Sequence, residues 1–175
     1  MHRLVFDTSA ILNFGKRGDL DFLLEKLAAD CTLLLPPEVE RELLDPDNRD
    51  FYATFLKRRF TVQAVQNIKL GREELAQLSA VLGSGEINVI LLADELEATA
   101  VLDDVLARKA ALKMKIKVVG TLGILSDAIK NKWCTDDQCI EIVGRLHANG
   151  FRIRKPGANE SFAEYFASLM ERTNN

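Results

Sequence analysis

The residues of this chain best suited to chemistry are carboxylates that stand directly after apolar runs. Asp7 follows Leu4-Val5-Phe6, and Asp103-Asp104 follow Ala100-Val101-Leu102. A continuous apolar run reads as a strand buried on both faces of a parallel sheet, and ligands gather beyond the carboxyl ends of such strands. Two adjacent acids at that place repel each other unless a cation is present. Glu38 and Glu42, four residues apart, share one helix face, whereas Glu40 points elsewhere. Glu86 sits between Gly85 and the largely apolar stretch 87–93, as a carboxylate entering a cleft would. Four carboxylates from four elements suit Mg²⁺ or Mn²⁺, which take oxygen ligands together with waters. Such ions activate water and stabilise a leaving oxygen, the requirements of phosphodiester hydrolysis, with no histidine needed as base.

Each acid also has a structural reading. An Asp at a strand-to-helix junction caps the helix, so Asp7 and Asp104 are open to both readings. Asp104 also stands four residues before Arg108, the spacing of a surface ion pair. Acids in a first turn suit the helix dipole, which favours a surface role for Glu38 and applies to Glu86. Glu42, one turn deeper, has less of that explanation. Gly83 and Gly85 serve a turn rather than a phosphate cradle, because no Lys-Ser or Lys-Thr pair follows them.

The elements that would position these groups alternate. Apolar pattern and turn residues predict strands over 4–6, 32–35, 61–65, 99–102 and 117–119. Helices are predicted over 20–27, 37–44, 51–56, 72–82, 86–97 and 105–113, with another capped by Gly120-Thr121. Thr135 and Gln138 have capping-box spacing for a helix over 136–147, followed by an extended piece at 151–153 and a last helix over 160–171. The expected fold is an α/β/α sandwich with helices on both faces of a mainly parallel sheet.

A chain of 175 residues, 47% hydrophobic and 28% charged, fits one domain over 1–175, with 135–175 as a C-terminal helical extension. Its apolar runs are far shorter than the roughly 20 residues that cross a bilayer, and the first strand leaves no room for a leader, so the cytosol is the expected compartment and no membrane partner is expected. Cys31, Cys134 and Cys139 lack zinc-knuckle spacing, and His2 and His147 stand apart from them; reduced thiols are expected. A net charge of −3 argues against a basic nucleic-acid-binding surface taken as a whole. Three local clusters, Lys57-Arg58-Arg59, Lys113/Lys115/Lys117 and Arg152/Arg154/Lys155, are candidate cationic edges, or else ordinary solvated faces.

Val5-Phe6-Asp7-Thr8-Ser9-Ala10, Pro37-Glu38-Val39-Glu40-Arg41-Glu42-Leu43, Gly85-Glu86 and Leu102-Asp103-Asp104 resemble, in order and spacing, the signature of PIN domains. The resemblance spans most of the chain. It is closest to a prokaryotic branch in which Asp103-Asp104 precede an Ala107-Arg108 helix and Gly-Thr-Leu-Gly, here 120–123, follows the last strand. It implies a PIN-like fold, Mg²⁺ or Mn²⁺ dependence, and cleavage of RNA, as in toxins paired with an antitoxin protein. Asp7, Glu42, Glu86 and Asp104 match the family's acidic positions, with Asp103 a fifth candidate and Thr8 or Ser9 resembling the hydroxyl that follows the first acid. Glu86 stands where many relatives carry Asp. A homodimer is the expected assembly. Two other functions compete: a non-catalytic nucleic-acid-binding module, and a haloacid-dehalogenase-type phosphohydrolase with Asp7 as nucleophile. The latter has Ser9 where its second acid belongs and leaves Glu42 and Glu86 without a role.

Overall fold

The apolar run after the first residue becomes β1 (His2–Phe6), the central strand of a five-stranded sheet. The structure is a computed structural model that describes residues 2–49 and 58–173; the helix expected over 51–56 lies outside the described residues. Beside β1 lie β2 (Cys31–Leu35), β3 (Thr61–Val62), β4 (Thr99–Val101) and β5 (Lys117–Val119), in the order β3-β2-β1-β4-β5. Every pairing is parallel, with Leu4 opposite Leu33 on one side and Phe6 opposite Val101 on the other. The chain thus builds outward from β1 to β3, then returns to add β4 and β5 on the opposite flank. That reversal opens a crevice between the carboxyl ends of β1 and β4, where a doubly wound sheet accepts ligands.

The helices are α1 (Thr8–Leu12), α2 (Asp21–Asp30), α3 (Pro37–Leu43), α4 (Arg72–Ser79), α5 (Ser84–Leu96), α6 (Val105–Lys113), α7 (Thr121–Lys130), α8 (Asp136–Ala148) and α9 (Phe162–Thr173). A π-helical turn, Asn13–Arg17, continues α1 and had no counterpart in the sequence pattern. α5 buries Val89, Ile90, Leu92 and Ala93 and packs on β1 and β4, which explains its apolar character around most of its circumference. Val89, Ile90 and Leu92 each contribute about 1.5–3 kcal/mol by leaving water. Phe6 anchors the opposite contacts, meeting Phe14 and Phe60 edge-on at centroid distances of 5.9 and 5.1 Å.

Three expectations need correction. α4 ends at Ser79 rather than reaching 82, because Val81 and Leu82 both donate to the Leu78 carbonyl and tighten into a turn before Gly83. β3 covers two residues, not five: its partner β2 ends at Leu35, whose carbonyl takes the Gln63 amide, and Pro36-Pro37 then turn the chain into α3, leaving nothing for residues beyond to pair with. The piece at 151–153 forms no strand; the Phe151 amide instead closes the end of α8 on the Leu146 carbonyl.

The capping box at Thr135 and Gln138 is present and starts α8. Cys139, Ile142, Val143 and Leu146 of α8, with Phe162 and Tyr165 of α9, belong to the same hydrophobic cluster as the sheet. Arg154 holds the connection, pairing with Glu160 through both terminal nitrogens while stacking on the Tyr165 ring. The Sγ atoms of the free cysteines Cys134 and Cys139 lie 2.8 Å apart in the core, and burial pushes the Cys139 thiol well above its ordinary pKa. Among the described residues no helix is long and apolar enough to cross a membrane.

Candidate functional site

Asp7 and Asp104 begin the helices on the two sides of the sheet's crevice, and each is an N-cap. Asp7 Oδ2 accepts from the Ser9 amide at 3.2 Å and the Ser9 hydroxyl at 2.8 Å. Asp104 Oδ1 accepts from the amides of Leu106 and Ala107 at 2.8 and 2.9 Å. Capping does not exclude the second reading, since both carboxylates also line one cavity of about 410 Å³. The rest of its acidic wall is Glu42, from the last turn of α3, and Glu86, from the first turn of α5. Of the five acids named as site candidates from the sequence, Asp7, Glu42, Glu86, Asp103 and Asp104, the fold brings all but Asp103 together here.

Burial drives the electrostatics. Asp7 is 5% exposed. Its carboxyl is pushed above the usual range mainly by desolvation, against the lowering effect of the Ser9 and Thr8 donors, with a small further push from Glu42. Glu86 moves in the same direction: burial acts first, opposed by the Gly83 amide, and the charges of Asp7, Asp104 and Glu42 add to it. That like-charge contribution means the three neighbours act on Glu86 through one site.

Local chemistry fixes the acids in place. Gly83 donates its amide to Glu86 Oε2 at 3.0 Å, and the Thr8 hydroxyl donates to Glu42 Oε2. Gly85 lets α5 approach α3: a Cβ at that position would stand 2.7 Å from Glu42 Oε1. Glu38, on the same helix face, instead pairs with Arg41 at 2.7 Å in the manner of a surface acid.

Asp103 faces a different set of groups. It accepts from the Thr121 amide at 2.8 Å, the Thr121 hydroxyl at 2.5 Å and Asn13 Nδ2 at 2.9 Å, and it does not line the cavity. Burial raises its pKa despite those donors and the nearby Arg108. Gly120 keeps the space, for a Cβ there would meet Arg108 Nη1 at 2.7 Å and Asp103 Oδ1 at 2.9 Å. Asp103 therefore ties β4 to the start of α7, and no ion pair joins Asp104 to Arg108 among the described residues.

Sequence reasoning passed over Asn13 and Arg17. Asn13 is fully buried and bridges Asp103 to the Arg17 guanidinium, 3.0 Å from its Oδ1. A polar residue inside the run Ala10-Ile11-Leu12-Asn13-Phe14 was the available signal. Arg17 had none, because only the π-helical turn carries it to the cavity wall. The cationic clusters of the sequence do not line the cavity: Arg59 pairs with Glu25 and Arg154 with Glu160, while Lys57 lies outside the described residues.

The donor set fits a divalent cation of the Mg²⁺ or Mn²⁺ kind. It is all oxygen and strongly anionic, and the second oxygens of Glu86 and Asp104 take no hydrogen bond among the described residues. As the side chains stand, no three described His, Cys, Asp or Glu residues form a ready-made cage, so the acids would close in on an ion that keeps several waters.

A carboxylate-lined crevice at the switch point of a doubly wound parallel sheet is the architecture of a nuclease-type fold that typically employs divalent metals. The PIN-domain family profile matches residues 3–164, and the chain belongs to the PIN-domain family. PIN domains are generally nucleases, and the match runs on through α8 to the start of α9. No curated protein matches the chain by sequence.

Proposed function

We propose that this protein is an endoribonuclease that hydrolyses RNA phosphodiester bonds, with Mg²⁺ or Mn²⁺ held by Asp7, Glu42, Glu86 and Asp104. The observation that carries this reading is the convergence of those acids, from four separate elements, on one cavity at the sheet's switch point. A bound divalent ion supplies Lewis acidity that activates water and offsets charge on the leaving oxygen. The protein's part is orientation. Ser9 fixes Asp7, the first turn of α6 fixes Asp104, Gly83 fixes Glu86 and Thr8 fixes Glu42. Without a cation, burial first and the neighbouring acids second make Asp7 and Glu86 bind protons more readily than free carboxylates.

A toxin role, with an antitoxin protein as partner, and a homodimeric assembly extend this reading as further proposals. The test is cleavage of mixed single-stranded and structured RNAs with Mg²⁺ or Mn²⁺. Wild type is expected to cut, and Asp7→Asn and Asp104→Asn to lose at least a hundredfold in rate. Cutting by Asp7→Asn at the wild-type rate would refute the site, and RNA binding without cutting would support a binding module.

A further inference from the structure

The acid-lined cavity has one cation on its described wall, Arg17, and that residue also lines a second cavity. The second cavity, again about 410 Å³, shares Leu12 and Arg17 with the first and is completed by Lys16, Asp47, Asn48 and Asn149. The two spaces meet across the Arg17 side chain. A half-buried guanidinium beside four carboxylates would ordinarily fold onto one of them. Arg17 makes no ion pair among the described residues; Asn13 Oδ1 accepts its Nη1 instead.

The placement is built, not incidental. The π-helical turn that carries Lys16 and Arg17 is held from behind by α8 and its cap, where Arg145 donates to the Gly18 carbonyl at 3.2 Å and Asn149 Nδ2 to the Arg17 carbonyl at 2.8 Å. π turns of this kind recur at functional sites. On the far side, the Lys16 ammonium bonds the Asp47 carbonyl and, at 2.7 Å, Asn48 Oδ1, fixing the loop that forms the outer wall. The second cavity therefore presents a guanidinium, an ammonium and two side-chain amides against a single carboxylate, Asp47.

We infer that this second cavity is a phosphate subsite: Arg17 holds the RNA backbone phosphate next to the one attacked, and the strand runs from the acids across Arg17 toward Lys16. A planar guanidinium matches phosphate oxygens two at a time, and phosphate contacts set the register of a nucleic-acid strand without reading its sequence. The inference rests on the nuclease reading and gives α8 a function, that of bracing the cationic turn.

The test measures binding of a labelled single-stranded RNA by fluorescence anisotropy across a salt series, with Mg²⁺, in an Asp104→Asn background that does not cut. Removing one cation that neutralises a phosphate of a single strand lowers the slope of log affinity against log salt by about 0.7. Arg17→Ala is expected to lower the slope by about that amount and to raise Kd about tenfold at low salt, with Arg17→Lys restoring the slope. Lys132→Ala, at a position lining neither cavity, serves as the control for net charge. Circular dichroism shows whether each variant is folded, and Lys16→Ala, on the exposed side of the turn, reports on the subsite should Arg17→Ala not fold. RNA bound equally well, with the same slope, after Arg17→Ala or Lys16→Ala overturns the subsite alone. An absence of both RNA binding and wild-type cleavage overturns the nuclease reading and the subsite together.

Discussion

Replacing Gly85 with alanine should separate activity from stability. The new Cβ would sit 2.7 Å from Glu42 Oε1 and 3.3 Å from its Cδ, whereas ordinary contacts begin near 3.4 Å. The obstruction is the end of a flexible side chain, so the Glu42 carboxylate yields, by about 0.7 Å, and the helix stays in place. Gly85 is the second residue of α5, where Gly→Ala stabilises by up to about 1 kcal/mol. For a domain of this size that is about 2–4 °C in Tm at most. A displacement approaching 1 Å at a reacting site costs about a hundredfold. The expected result is metal-dependent RNA cleavage reduced about ten- to a hundredfold, with Tm unchanged or slightly raised. Glu42→Asp withdraws the carboxylate by one methylene, so Gly85→Ala added to it should cost little more. The reasoning fails if Gly85→Ala cuts at the wild-type rate, or if it slows Glu42→Asp as much as it slows wild type.

Two further outcomes follow from the same geometry. Thr121→Val keeps the shape but removes the hydroxyl that Asp103 accepts at 2.5 Å, and urea denaturation should show a loss of about 1–3 kcal/mol, largely recovered in Thr121→Ser; an unchanged midpoint would deny Asp103 its tying role. Asp7 and Glu86 have folded-state pKa values above their unfolded ones, so between those values the native state binds more protons than the unfolded chain. The metal-free protein should therefore lose stability as pH rises from the ordinary carboxylate range through the raised values. Asp7→Asn should flatten that decline and raise Tm at neutral pH, and Mn²⁺ should stabilise wild type more than the variant. A steeper decline in Asp7→Asn would contradict the assignment.

Much of the fold was legible because burial writes itself into local pattern. The apolar runs before Asp7 and Asp103 marked strands covered on both faces, and Thr135 with Gln138 marked the start of α8. α6 and β5 fall over the residues expected, 105–113 and 117–119. Edges were less legible, since β3 and the end of α4 depend on which partner a backbone amide finds: the Leu35 carbonyl, the last that β2 offers, for Gln63, and the Leu78 carbonyl for Val81 and Leu82.

For the site, the sequence by itself determined which acids follow strands and which open helices, because capping and strand-end placement are local properties of a few consecutive residues. It left Asp7 and Asp104 divided between cap and ligand, and the structure shows each carboxylate capping its helix while facing the cavity. Only the tertiary structure decided that Asp103 turns toward Thr121 and Asn13, that Glu42 meets α5 where Gly85 lacks a side chain, and that a π-helical turn carries Arg17 to the junction of two cavities. Those facts depend on groups 18 to 90 residues apart in the chain, such as Asp103 with Thr121 and with Asn13. Packing of the sheet and its helices brings such groups together, and no periodicity along the chain records it.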